Sequence, residues 1–480
     1  MSGLIIAANS SFAGKTTTTL ALLAYWKSLG LVVAPGKVGP DFIDASYLSH
    51  LANYPCANLD MWMHGARGVA NIYERMTLGA RSPDICLIEA CMGLFDGGVG
   101  SAASLAKALD LPVLLLLNVE GLAESALALA QGYLNLGLSQ GLRFLGLILT
   151  KVGTLRHIKI LKAALEPYLA SLNLPLFGFL PKASAPTIKS RHLGLVSVEE
   201  SRDLLEDAKL IPWLTANCDL TSLNRLVLGE KRPKLQESQD LPVNANWPQE
   251  FFPPRVTAYK LKRAKPTLAI ALDQAFSFCY ADLPAFLAEL GLNIVYFSPL
   301  KAKNLPPCQG VYLPGGYPEL YLEQLANNLT LIADLKRFAN SGHLIYGECG
   351  GFIYLLASLT LTTGETYPLA NLLPAKAYLN STRQALGYRE ARLTTPVVDC
   401  AREICVRGHE FHYSSVQLTP NADHSLVKPL WQIKDLTSET LHEEGLVCGQ
   451  VFGSYLHLSS EGGAAFWQAL AKTLQRVVAA

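Results

Sequence analysis

Residues Leu4 to Leu20 read L-I-I-A-A-N-S-S-F-A-G-K-T-T-T-T-L. An apolar run comes first, then a polar loop holding A-G-K-T, then the opening of an apolar helix pattern. This is the strand, loop and helix context that a phosphate-binding loop needs, because the first amides of a helix are unpaired and face an anion. In such a loop Lys15 lies against the β- and γ-phosphates and Thr16 offers its hydroxyl to Mg²⁺. The backbone N–H groups of Ala13, Gly14, Lys15 and Thr16 point at phosphate oxygens, with Thr17 next to them at the helix start. Asn9 stands where the usual pattern has its first glycine. A surface lysine at a helix start would give the same short string, and the flanking strand and helix argue against that.

Outward from the loop the same rhythm repeats. Leu31 to Pro35, Ile85 to Glu89, Val113 to Val119 and Phe144 to Thr150 read as strands, with helix-length segments between several of them. That is the βαβ alternation of a doubly wound parallel sheet. Around Glu230 to Pro266 the pattern fails in a polar stretch broken by Pro233, Pro242, Pro248, Pro253 and Pro254. A second alternation starts with Thr267 to Asp273, Asn293 to Ser298, Gly310 to Pro314 and His343 to Tyr346. A chain of 480 residues exceeds what one core organises. The expected division is a first α/β domain over 1–230, a linker over 231–265 and a second α/β domain over 266–480.

A nucleotide loop needs an acidic partner for its metal. Glu89, placed at the end of the strand Ile85 to Ile88, is the first candidate. Asp96 follows in a glycine-flanked loop, and Asp41 and Asp44 lie in K-V-G-P-D-F-I-D just after the second strand. The fold would gather all four at one carboxyl edge. A helix cap or a solvated loop residue is an equal reading for Asp41 and Asp44.

A second chemistry is written in G-E-C-G-G at Gly347 to Gly351, where Cys349 sits between glycines directly after an apolar run. A nucleophile elbow has this form, and the helix after it favours thiolate. The thiol needs a proton shuttle. His457 in G-S-Y-L-H-L ends the apolar run Leu446 to Leu456, where a strand could aim it inward; His409 and His412 in G-H-E-F-H-Y compete with it. Oxyanion donors are expected from the backbone N–H of Gly350 and from the L-P-G-G-Y loop at Gly316. A conventional triad would place an acid two residues after the histidine, yet Ser459 is there, so the group orienting His457 stays unassigned.

Composition excludes several classes. Half of the residues are apolar and 16% are charged, which suits large cores and argues against disorder. A formal charge of +1 gives no global field for nucleic acid or anionic membrane. The longest apolar stretches, such as Leu111 to Val119, are about half of the roughly 20 residues that a spanning helix needs. The start of the chain lacks a basic segment and a cleavage site, so it does not read as a secretory signal. Ten cysteines without C-x-x-C spacing indicate neither a structural zinc site nor a disulfide framework, and a cytoplasmic location is expected.

The strings K-V-G-P-D-F-I-D (Lys37 to Asp44), E-A-C-M-G-L-F-D-G (Glu89 to Gly97), R-H-L-G-L (Arg191 to Leu195), L-P-G-G-Y-P-E (Leu313 to Glu319), Y-G-E-C-G-G (Tyr346 to Gly351), L-G-Y-R-E (Leu386 to Glu390) and G-H-E-F-H-Y-S (Gly408 to Ser414) resemble those of the cobyrinic acid a,c-diamide synthases over nearly the whole chain. The resemblance implies a P-loop NTPase-like, dethiobiotin-synthetase-like parallel-sheet domain. It implies, next, a class I glutamine amidotransferase domain of flavodoxin-like α/β build and of the cobyric acid type. The implied reaction is amidation of the a and c acetates of a tetrapyrrole precursor of cobalamin, with ATP, glutamine and Mg²⁺. The implied roles are Cys349 and His457 as a catalytic dyad, a form in which the missing acid is normal, and Thr16, Glu89 and Asp44 around the metal. Lys37, with Asp41, Asp44 and Asp96, would order the nucleotide and the acyl acceptor. A sequestered path for ammonia between the two domains is expected, and a homodimer is the assembly considered. Phe12 departs from the pattern, since relatives usually carry glycine there, so its ring must turn away from the phosphates or narrow the loop. Close alternatives are hydrogenobyrinic acid or nickel-sirohydrochlorin as acceptor. Cobyric acid synthase is further off, its members having P-G-S-K where this chain has P-G-G-Y-P-E. A nucleotide-dependent switch protein with a vestigial amidotransferase domain is disfavoured by Ser10, where such loops carry a signature lysine.

Overall fold

The computed structural model describes residues 2–78, 82–186, 190–191, 194–195, 207–229, 265–400, 403–423, 425–436 and 439–479. The chain divides into two compact units, residues 1–243 and 244–480. The expected linker over 231–265 lies, except for residue 265, outside the described residues.

The first unit is built on a seven-stranded sheet in the order β3-β2-β4-β1-β5-β6-β7. The strands are β1 (Ser2–Ala8), β2 (Val33–Val38), β3 (Ala57–Leu59), β4 (Ile85–Gly93), β5 (Val113–Asn118), β6 (Phe144–Val152) and β7 (Leu176–Pro181). Every pairing is parallel. Both faces are covered, which is why the strands read as continuous apolar runs and not as alternation. Along β1, Ile5 and Ala7 enter one core while Leu4, Ile6 and Ala8 enter the other. From β1 the chain winds out to β2 and β3 and later crosses back to β5, so the winding reverses at the carboxyl end of β1. Ligands bind such sheets at that crevice.

Several boundaries differ from the expectation. β2 lies over Val33–Val38 and not Leu31 to Pro35, because Lys37 is drawn inside by carboxylates and extends the strand past its apolar run. β4 continues to Gly93, which puts Glu89 inside the strand and not at its end. β3 and β7 gave no signal, being short or closed by proline. A hairpin of β8 (Ser190–Arg191) and β9 (Gly194–Leu195) carries the ends of R-H-L-G-L, whose residues 192 and 193 lie outside the described set.

The second unit holds β10 (Thr267–Ala271), β11 (Asn293–Phe297), β12 (Gly310–Leu313) and β13 (Leu344–Glu348), ordered β11-β10-β12-β13 in a six-stranded sheet. Val451–Ser454 pairs parallel with β13, and Leu446–Cys448 closes the edge antiparallel. The run Leu446 to Leu456 is therefore a hairpin and not one strand. It turns at Gly449, whose φ of 60° is left-handed. Two further four-stranded sheets flank this core, one of them containing the paired strands Ala385–Leu393 and Cys405–His412.

Candidate active sites

The phosphate loop hangs from β1 and feeds the helix Lys15–Ser28, with Gly14 at φ 89° as its N-cap. Thr150 on β6 donates its hydroxyl to the Ala13 carbonyl at 2.7 Å and pins the loop to the sheet. Lys15 curls back to donate to the Ser10 carbonyl at 2.9 Å. The departure at Asn9 has a use: its side-chain oxygen accepts the Asn118 amide at 2.8 Å, and its carbonyl accepts the Tyr133 hydroxyl at 2.7 Å. A glycine could not make the first of these bonds. Phe12 has φ 58° and is 91% exposed, so its ring turns into solvent and leaves the loop interior open.

Behind the loop the acids separate into different jobs. Glu89 Oε1 accepts the Thr16 hydroxyl at 2.7 Å and the Lys37 ammonium at 2.8 Å. Its Oε2 is buried and has no hydrogen-bond partner among the described residues. Lys37 is 1% exposed and also pairs with Asp44. Lys37, expected at the nucleotide, and Asp44, expected at the metal, are paired with each other. Burial alone would lower the Lys37 pKa, and the Glu89 and Asp44 charges hold it well above the ordinary lysine value. Asp41 caps the helix Phe42–Ala52, its Oδ1 accepting the Ile43 amide at 2.9 Å and the Asp44 amide at 3.0 Å. Burial and the neighbouring Asp44 push its carboxyl up to about 6. Asp96 folds onto its own loop, accepting the Gly93 amide at 3.0 Å.

These residues fit a magnesium ion. A buried carboxylate oxygen without a partner and a hydroxyl bonded to the same carboxylate are hard oxygen donors of the kind Mg²⁺ takes. Among the described residues no three His, Cys, Asp or Glu side chains form a cage. An ion that keeps water and substrate phosphate as ligands does not need one.

The thiol site is assembled from three distant segments. Cys349 follows β13 directly and caps the helix Gly350–Leu355 with φ 47° and ψ −106°, the strained geometry of a nucleophile elbow. The glycines are demanded by contact. A Cβ on Gly351 would lie 2.0 Å from the Leu313 carbonyl oxygen, and one on Gly350 would lie 2.9 Å from the Gly316 nitrogen. The Gly350 and Gly316 backbones thus stand side by side, as a pair of oxyanion donors requires. The Cys349 sulfur lies 4.0 Å from the Phe411 carbonyl oxygen.

His457 is reached past the hairpin and not along a strand. Its amide donates to the His409 carbonyl at 2.9 Å, and its ring stacks on His409 at 4.9 Å and 19°. On another side stands Gly315, where a Cβ would be 2.4 Å from the His457 Cε1. The His409 Nδ1 is hydrogen-bonded to the Tyr280 hydroxyl at 3.1 Å. His412 bonds the Ser414 carbonyl at 2.8 Å and stacks on Tyr455 at 3.6 Å, which fixes it in the wall of the site.

One expectation is reversed. The thiol is not held as thiolate: burial, then the charge of Glu319, push its pKa far above the ordinary value, and the lowering by the Gly350 amide is smaller. Burial, then His409 and His412, hold His457 well below its ordinary value. Both the thiol and the imidazole are therefore neutral at rest. Glu319, in the same L-P-G-G-Y-P-E string as the oxyanion loop, carries a carboxyl that burial pushes up to about 7, and its influence on the thiol is not legible from the string alone.

Residues 4–195 match the CobQ/CobB/MinD/ParA nucleotide binding domain family, and residues 267–465 match the CobB/CobQ-like glutamine amidotransferase domain family. The chain is 36% identical to a cobyrinate a,c-diamide synthase of Synechocystis sp. over 95% of its own length and 89% of the relative's. It is 35% identical to a hydrogenobyrinate a,c-diamide synthase of Brucella abortus over 97% and 100%. A cobyrinate a,c-diamide synthase of Syntrophotalea carbinolica is 36% identical over 96% of both chains.

Proposed function

The chain belongs to the family of cobyrinate and hydrogenobyrinate a,c-diamide synthases, and from that premise we propose cobyrinate as its acceptor, amidated on the a and c acetates. It is an ATP-dependent ligase that takes its amido nitrogen from glutamine and serves cobalamin biosynthesis. The observation that supports the glutamine half is the elbow at Cys349, with the Gly316 backbone against Gly350 and the His457 ring against the adjacent Gly315.

The chemistry follows from these residues. His457, neutral through burial, takes the Cys349 proton as sulfur attacks the glutamine carboxamide carbon. The Gly350 and Gly316 amides receive the oxyanion. His457 returns the proton to the departing nitrogen, the C–N bond breaks, and ammonia leaves a thioester that water hydrolyses to glutamate. In the first unit a substrate carboxylate oxygen attacks the γ-phosphorus of ATP and ADP departs. Ammonia then displaces phosphate from the acyl phosphate. Activation is required because a carboxylate is a poor electrophile. Lys15 is positioned to neutralise phosphate charge, Asp44 and Lys37 keep Glu89 aligned, and Glu89 with Thr16 would hold Mg²⁺. The ion, when bound, supplies charge neutralisation at the phosphates.

No helix among the described residues is long and apolar enough to cross a membrane. We place the enzyme in the cytoplasm, where its ten free thiols would stay reduced. A homodimer is the assembly proposed. The test incubates protein, ATP, Mg²⁺ and glutamine with cobyrinate, hydrogenobyrinate or nickel-sirohydrochlorin and reads product mass. Two amidations on cobyrinate alone support the reading; turnover of another acceptor alone moves the assignment to it. In the same assay Cys349→Ser is expected to abolish glutamine-dependent amidation while ammonium chloride still supports it.

A further inference from the structure

In a triad the acid holds the imidazole from two residues downstream. Here that position is Ser459, whose hydroxyl oxygen accepts the Gly462 amide at 3.0 Å. A buried carboxyl nevertheless joins the thiol and imidazole segments, from the other side. Glu348 ends β13, is bonded directly to Cys349, and is 1% exposed. Its Oε1 accepts the Leu458 amide at 3.3 Å and the Tyr346 hydroxyl at 3.0 Å, and its Oε2 is hydrogen-bonded to the Tyr312 hydroxyl at 2.8 Å. Leu458 is the residue after His457. The Tyr312 and Tyr346 rings stack at 5.6 Å and both pack on Trp467, whose indole N–H donates to the Ser459 carbonyl at 3.0 Å. Of the three peptide groups that follow the imidazole, the first is therefore gripped by Glu348 and the third by Trp467.

We propose that Glu348 is the positioning residue that sets His457 against Cys349, replacing the triad acid by holding the backbone beyond the imidazole instead of the imidazole itself. An apolar side chain here would leave the Leu458 amide and two tyrosine hydroxyls without this acceptor inside the protein, and the His457 segment would shift to find others. Burial pushes the Glu348 carboxyl up to about 8, so at neutral pH the neutral acid predominates. A glutamine side chain keeps an oxygen that accepts from Leu458 and Tyr346, while the Tyr312 hydroxyl, which donates to Glu348 Oε2, must turn to accept from the new amide.

The proposal rests on Cys349 and His457 being the glutamine site, and the test separates the two. In the full-length enzyme Glu348→Gln should keep glutaminase kcat within about threefold, because the acceptor for the Leu458 amide is retained. Glu348→Leu should lower kcat about 100-fold, the order of loss for a misplacement near 1 Å, with the glutamine KM nearly unchanged. Ammonium-fed amidation should stay at the parental rate in both and report folding. If the Leu variant does not fold, Tyr346→Phe removes a donor but keeps the ring, and should lower kcat about fivefold with KM unmoved. A folded Leu variant with parental kcat, a Gln variant as impaired as Leu, or a parental kcat in Tyr346→Phe overturns the assignment. Intact glutaminase in Cys349→Ser would instead overturn the reading beneath it.

Discussion

A Cβ added at Gly315 would lie 2.4 Å from the His457 Cε1, so this glycine is a wall of the imidazole pocket. Gly315→Ala must displace the ring, and we expect glutaminase kcat to fall about 100-fold while ammonium-fed amidation is spared. Steady-state rates with each nitrogen source check this, and full glutaminase in the folded variant would count against the assigned ring position. The elbow and the phosphate loop were legible because their spacing is local: G-E-C-G-G and A-G-K-T each declare a backbone shape. The ionisation state of Cys349 was not, since it depends on burial and on Glu319, which only folding brings near the thiol. Glu348 was likewise silent, being half of a contact whose other half is more than a hundred residues away.

The phosphate loop shows how an element absorbs a departure from pattern. Phe12 holds φ 58° with its ring 91% exposed, so its side chain contributes little packing while its backbone sits in the left-handed region. Phe12→Gly should raise stability by up to about 1 kcal/mol, less the added freedom of the unfolded chain, and leave nucleotide affinity unchanged. Denaturant midpoints and ATP titration measure the two parts; a weakened ATP site would give the ring a binding role. Strands buried on both faces could be read from their apolar runs, whereas β3 and β7 could not, and the hairpin at Gly449 hid inside a run that looked like one strand. Lys37 shows the reason for the β2 error: a charged residue in an apolar frame looked like a strand end, but Asp44 and Glu89, supplied by other segments, let it stay inside.

At the scale of the molecule two chemistries occupy two units. Glu89→Gln removes the carboxylate proposed to face the metal and should abolish ATP-dependent amidation while leaving basal glutaminase measurable. Loss of both activities in a folded variant would contradict separate sites. Acid should weaken each unit through a buried histidine. His64 and His409 are each held near 3, chiefly by burial, whereas an unfolded histidine takes a proton near its ordinary value of 6.5. The stability they permit is complete above about 6.5 and is lost as pH falls toward 3. Thermal midpoints between neutral and acid pH should decline, less steeply in His64→Gln or His409→Gln, and an unchanged slope in both would refute the cause. The two-domain plan followed from length and repeated alternation, while the expected linker falls almost wholly on residues that the structure does not describe. The protonated resting state of Cys349 has a last consequence. Peroxides and alkylating electrophiles consume thiolates, so a nucleophile that ionises only during turnover is spared while idle. The working life of this enzyme should then be counted in glutamines processed and not in hours of exposure to oxidant.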